Sequence, residues 1–301
     1  MTTAEAYTVC RGIAKREAKN FYYAFRVLPQ HKRDAMCAVY AFMRRADDIA
    51  DDESTPIAER RIVMHQWIES WRKARHTGVS DDPVFVALND TQKQFSIPDA
   101  LLEELVEGTT MDLAPRPEQQ AQVQTYADFE ELYRYCYLVA SVVGLVCIKI
   151  FGYSDLRAEQ LAEETGIAFQ LTNILRDIKE DVERSRVYLP LDRMAAHSVS
   201  VERIQELAAG AEMTSSDRAL LEELAAKAEH YYGSASELTP LIDPDSRAAL
   251  WVLAMIYYDL LMRIRKTKYD VFSTRVSVPT TGKLVLLLRG ALMAMRNRRA
   301  S

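Results

Sequence analysis

The chain has 301 residues, 49% of them hydrophobic, with only ten glycines and ten prolines. That apolar content excludes a disordered chain, and so few turn residues favour long helices over a turn-rich β fold. The formal net charge of -5 argues against nucleic acid as the main partner, although "RGALMAMRNRRAS" near the end is locally basic.

Hydrophobic periodicity predicts helices over about 4–18, 30–52, 56–76, 83–95, 98–112, 126–152, 155–184, 200–208, 214–236, 245–268 and 280–297. "DESTP" ends the second and can cap the third, and "SIP" and "APRP" mark further breaks. The one loop-rich gap is 114–125, and "RVYLP" at 186–190 reads as extended but short. The expectation is a single all-α domain over residues 1–301. Four cysteines at 10, 37, 136 and 147 have no metal or redox spacing and fit a reduced, cytoplasmic setting. No apolar leader follows the first methionine. The most apolar run, "YCYLVASVVGLVCI", has 14 residues, short of the roughly 20 that span a bilayer. A soluble protein is expected.

The chemistry concentrates in two acidic clusters. "RRADDIADD" at 44–52 closes the second predicted helix. Residues four apart share a face, so Asp47 and Asp51 point the same way, with Tyr40 and Arg44 on that stripe. Far downstream, "FQLTNILRDIKEDVERSRVYLP" places Gln170, Asn173, Asp177 and Asp181 within an arc of about 80°. Both clusters lie late in their helices, where the dipole disfavours carboxylates. A bound cation would offset that penalty, and oxygen ligands on two helices suit Mg²⁺. Each run alone also reads as a solvated acidic face. The matched pair of aspartate couples argues for a metal site. HExxH, EF-hand, P-loop and GxGxxG patterns are all absent from the sequence.

With these motifs in order, the sequence resembles the squalene/phytoene synthase family of head-to-head prenyl synthases. "KNFYYAF", "YAFMRRADDIAD", "YCYLVASVVG", "QLTNILRDIKED" and "RVYLP" carry the resemblance, which runs from about residue 10 to 290. It implies the class I isoprenoid synthase fold: one large helical bundle around a central cavity. It implies Asp47, Asp51, Asn173, Asp177 and Asp181 as Mg²⁺ ligands, and Arg44, Tyr135 and Tyr257 as catalytic groups. Lys19, Phe21, Tyr40, Gln170, Arg176, Arg186, Tyr188 and Arg275 fall at substrate-binding positions. Asn20 and Ser141 depart from the family pattern, which often has serine and glycine there.

The resemblance also implies the reaction. An allylic diphosphate ionises, and the double bond of a second prenyl diphosphate attacks, giving a cyclopropylcarbinyl diphosphate. "KNFYYAF" and "KYDVFSTRVSVP" look most like enzymes that make presqualene diphosphate from farnesyl diphosphate, continuing to squalene with NADPH or to hydroxysqualene with water. The alternative is phytoene from two geranylgeranyl diphosphates. Two other readings are a non-catalytic assembly protein on the same fold and another Mg²⁺-dependent prenyl or terpene enzyme; intact ligand positions argue against the first, "NILRDIKED" with "RVYLP" against the second. The basic, apolar segment 284–300 reads as a packed terminal helix, with a peripheral membrane contact as the alternative.

Overall fold

A computed structural model describes residues 1–52, 54–113 and 123–300, with the side chains of Lys19, Asn20, Asp112 and 296–300 outside that description. Helices dominate. The first half comprises α1 (Thr3–Glu17), α2 (Lys19–Phe25), α3 (Gln30–Ala50), α4 (Ile57–Thr77), α5 (Pro83–Phe95) and α6 (Asp99–Thr110). The second comprises α7 (Phe129–Cys136), α8 (Val142–Phe151), α9 (Arg157–Glu183), α10 (Leu191–Ala196), α11 (Val201–Ala208), α12 (Ser215–Leu238), α13 (Arg247–Lys266) and α14 (Thr280–Ala300).

Local chemistry explains many boundaries. Thr2 and Glu5 form a capping box on α1, and Thr214 and Asp217 form another on α12. Asp82 caps α5 and Pro83 occupies its first turn. Gly78 ends α4 at φ 71°, a left-handed conformation that glycine adopts without Cβ strain.

The buried side chains form two large clusters. One draws on α1, α3, α5, α6 and α8. The other draws on α7, α9, α11, α12 and α13. Phe21 of α2 and Met111 pack against both. In the first cluster Phe42 meets Trp67 at 4.7 Å and Trp71 at 5.2 Å between ring centroids, locking α3 to α4.

Three sequence expectations change. The predicted 126–152 helix is three pieces: α7, a π-helical stretch at Tyr137–Ser141, and α8. Its continuous run, Phe129–Phe151, is long and apolar enough to cross a bilayer, contrary to the 14-residue estimate; with 56% of its most apolar window buried, it is packed as a core helix. Second, the expected loop-rich gap ends in a strand, β1 (Gln124–Tyr126), paired in parallel with "RVYLP", which is extended as read and forms β2 (Arg186–Pro190). Third, α2 and α10 were not predicted; seven and six residues are too few to show a helical period. Most of the predicted 114–125 gap lies outside the described residues.

Neighbouring glycines explain how the π stretch fits. A Cβ on Gly166 of α9 would lie 2.6 Å from the Ser141 Cα. One on Gly108 of α6 would lie 2.3 Å from the Leu138 carbonyl oxygen. The widened turn is gripped from both sides by backbone. Ser141, where the family pattern often has glycine, stays buried and donates its hydroxyl to the Glu163 carbonyl at 2.7 Å.

Candidate active site

The seam between the two cores holds an apolar cavity of about 240 Å³. Its walls are Val139, Val143, Gly144 and Ile148 from the α7–α8 run, Ala162, Gly166 and Phe169 from α9, and Leu250, Leu253 and Tyr257 from α13. Phe21 and Met43 complete it, and Gln170 and Asn173 supply polar groups. A second cavity of about 200 Å³ contains Asp47, Asp51, Thr109 and Tyr135. Met43, Val139 and Val143 line both, so the acidic cavity and the apolar one are neighbours.

The first aspartate cluster divides as helical geometry requires. Asp47 and Asp51 face the acidic cavity. Asp48 is exposed, and Asp52 accepts hydrogen bonds from Ser54 and Thr55 just past the helix end. Arg45 turns away to pair with Asp82. Arg44 stands on the expected stripe, where the Asp47 charge acts on it, and its guanidinium pairs with Asp48 at 2.6 Å across one helical turn. Its buried Nε has no hydrogen-bond partner. Tyr40 packs against Phe21 at 6.5 Å, and burial pushes its hydroxyl up to about 12.

The second cluster is arranged differently. Arg176 donates to Asp177 from Nε at 2.7 Å and also through its terminal nitrogen. Arg275 donates to the same carboxylate at 3.0 and 2.7 Å and reaches Glu180 at 3.2 Å. Burial opposes ionisation of Asp177, yet the two guanidiniums hold its carboxyl below the usual range. Asp181 is pushed up to about 7, by burial first and then by the Asp177 charge, while Arg186 opposes the shift. Asn173 donates to Gln170 at 3.4 Å and hydrogen-bonds the Tyr257 side chain, but among the described residues its buried Oδ1 has no donor.

Aromatic rings cover the seam. Tyr257 is stacked on Phe169 at 4.6 Å and lies 6.0 Å from Phe21. Burial raises the Tyr257 hydroxyl, and the Arg176 charge opposes that shift. Tyr135 stacks on Tyr188 at 4.8 Å and donates to its hydroxyl at 3.1 Å. The β1–β2 pair brings Tyr126 against both rings.

Of the expected site residues, Asp47, Asp51 and Tyr135 line the acidic cavity and Phe21, Gln170, Asn173 and Tyr257 the apolar one, with Tyr40 and Tyr188 against their rings; Arg176, Asp177, Asp181, Arg186 and Arg275 line neither, and the Lys19 side chain lies outside the described residues. Sequence reasoning missed Phe169, Thr165 and Tyr126. Phe169 lies four residues before Asn173, so the same helical face that gathers the oxygen ligands could have found it. Nothing in the three-residue β1 segment announces Tyr126 as a ring partner of Tyr135.

The donor set fits a hard cation. An unpartnered buried amide oxygen on Asn173 and a destabilised carboxylate on Asp181 both call for positive charge. Among the described residues, no three histidine, cysteine or acidic groups converge as a preformed cage.

Comparison with known proteins is consistent with this geometry. The squalene/phytoene synthase family pattern matches residues 14–281. A phytoene synthase from Mycobacterium bovis is 36% identical over 91% of this chain and 86% of its own length. A 15-cis-phytoene synthase from Synechococcus elongatus is 32% identical over 96% of this chain and 95% of its own length. Among solved structures, a dehydrosqualene synthase superposes with a TM-score of 0.83 at 30% identity, covering 98% of each chain. A squalene synthase from Alicyclobacillus acidocaldarius gives 0.78 at 25%, covering 89% of this chain and 95% of that one. A matched family pattern over most of the length and an all-helical isoprenoid synthase fold agree: the chain is a prenyltransferase of the squalene/phytoene synthase family.

Proposed function

We propose that the protein joins two geranylgeranyl diphosphates head to head and ends in phytoene. The head-to-head reading rests on the family match, and the observation that supports a prenyl diphosphate substrate is the shared wall: an aspartate-lined cavity adjoins an apolar one through Met43, Val139 and Val143. Such a pair separates a charged diphosphate from its hydrocarbon chain. The curated relatives named phytoene synthase, at 36% and 32% identity, support the C20 substrate.

Asp47 and Asp51 on one side, with Asn173, Asp177 and Asp181 on the other, would hold Mg²⁺. When bound, Mg²⁺ neutralises charge on the departing diphosphate. Arg176 and Arg275 bring fixed positive charge to the same end. Arg44, Arg186 and Tyr188 are placed to assist, as is Lys19 by its position in the sequence. Breaking the allylic C–O bond leaves a carbocation at C1. The C2=C3 electrons of the second substrate close on it, and loss of one proton yields the cyclopropylcarbinyl diphosphate. A second ionisation, with loss of the remaining diphosphate, rearrangement and proton loss then give a C40 hydrocarbon with a conjugated triene at its centre. The faces of Phe21, Phe169 and Tyr257 stabilise positive charge in a water-poor cavity, and Tyr135 supports the acidic end.

A second reading is condensation of two farnesyl diphosphates. The structural likeness to a dehydrosqualene synthase supports it, as do the sequence segments "KNFYYAF" and "KYDVFSTRVSVP". On this reading presqualene diphosphate is released or carried onward, with NADPH needed only for squalene. Mass spectrometry of products from each diphosphate, with Mg²⁺ and with or without NADPH, separates the readings. Phytoene from the C20 substrate supports the proposal. A C30 product with no C40 product overturns it in favour of farnesyl diphosphate. No condensation from either would sink both. Chelation of Mg²⁺ is expected to abolish turnover and its return to restore it.

A further inference from the structure

The apolar surface of α14 is not explained by the site. Leu284, Val285, Leu288, Leu292 and Met295 are 48, 51, 63, 48 and 52% exposed. At 100° per residue they fall within an arc of about 100°. The opposite side is satisfied: Leu287 and Ala294 pack into the first core, and Leu286 joins Trp251 and Leu253 of α13. With the inward face in place, the outward face stays exposed among the described residues.

Charge decides what covers it. Residues 280–301 contain five basic side chains and no acidic one, in a chain of net charge -5. Exposed Arg289 flanks the apolar arc. An identical copy would bring the same positive charge against this face, whereas an anionic bilayer surface complements it. An apolar stripe beside cations on one helix is the pattern of a helix lying in the headgroup layer.

The geometry points to α14 as an in-plane anchor that docks the protein on an anionic phospholipid surface. Its location links docking to the site: α14 packs on α2 and α13, which carry Phe21, Leu253 and Tyr257 of the apolar cavity. Docking there leaves a single helix, α14, between that cavity wall and lipid, where an apolar product partitions. The anchor itself does not depend on which prenyl chain is used.

Cosedimentation of the full chain with vesicles tests this. Phosphatidylcholine vesicles containing roughly one third phosphatidylglycerol are compared with phosphatidylcholine alone. The wild type is expected to bind the anionic vesicles, and the variant Leu284→Glu/Leu288→Glu/Leu292→Glu to bind at least about tenfold more weakly. Arg289→Gln is expected to weaken binding to anionic vesicles several-fold, as is salt near 1 M, where the Debye length falls to about 3 Å. The Arg289 variant and the salt series decide the matter if the triple variant fails to fold. Wild-type protein that stays in the supernatant overturns the proposal, as does equal binding by folded triple variant. A lipid-free dimer that Leu288→Glu converts to monomer also overturns it, because a second copy then covers the face.

Discussion

Asp51 and Asp52 are neighbours in the chain and differ only in direction. Asp51 lines the acidic cavity, while Asp52 is occupied by Ser54 and Thr55 outside it. Asp47→Ala and Asp51→Ala should each lower turnover at least about 100-fold, against less than about threefold for Asp52→Ala, because only a transition-state contact carries such a loss. Steady-state rates of diphosphate release measure this; equal losses at all three would refute the division. Asp181 gives a pH test. Folded, it titrates at about 7, against 3.8 for the free group, so between those values the folded state retains a proton that the unfolded state has released. The stability from that proton is fully present below about pH 4 and is lost as pH rises through about 7. Without Mg²⁺, the urea midpoint should therefore be higher at pH 5 than at pH 8, and Asp181→Asn should shrink the difference. An unchanged difference would show that Asp181 is not the group responsible.

At the scale of elements, α9 and the π-helical stretch depend on one another. Gly166 allows the Ser141 backbone to approach, and α9 presents Phe169 and Gln170 to the cavity one turn farther along and Asn173 two turns farther. Gly166→Leu forces the two apart, at a cost of about 1–3 kcal/mol by overpacking. Because the displaced helix carries cavity groups, activity should fall by more than the loss of folded protein, read as kcat per folded molecule after a thermal melt. The sequence around 135–148 gave a long apolar helix correctly but not its extra residue per turn. Periodicity reports which face is apolar; it does not report where a neighbouring backbone widens a turn.

Over the whole molecule, one buried lysine ties distant segments together. Lys32 of α3 donates to the Phe151 carbonyl at 2.7 Å, to Asp245 at 2.7 Å and to the Ser246 hydroxyl at 3.1 Å. It thereby joins the end of α8 to the turn between α12 and α13, near the part of the cavity lined by Phe151 and Leu250. Lys32→Met removes the ammonium that these groups share, leaving Asp245 only its bond from the Ser246 hydroxyl, and should cost about 1–3 kcal/mol, measured by urea unfolding. A cost within error of zero would show that solvent replaces the ammonium. Sequence reading took Lys32 as one more helix residue, because its partners lie more than 100 positions away.

The sequence by itself determined the helical class, most helix positions, and the aspartate spacing that sets Asp47 with Asp51 apart from Asp48 and Asp52. These follow from local rules: 3.6 residues per turn and burial of apolar faces. Tertiary structure alone decided that Arg275 joins Arg176 on Asp177, and that Tyr126 joins Tyr135 and Tyr188. It also decided that the acidic and apolar cavities share a wall. Each of these depends on which of several oppositely charged or apolar groups is nearest in space, and packing between distant segments sets that distance.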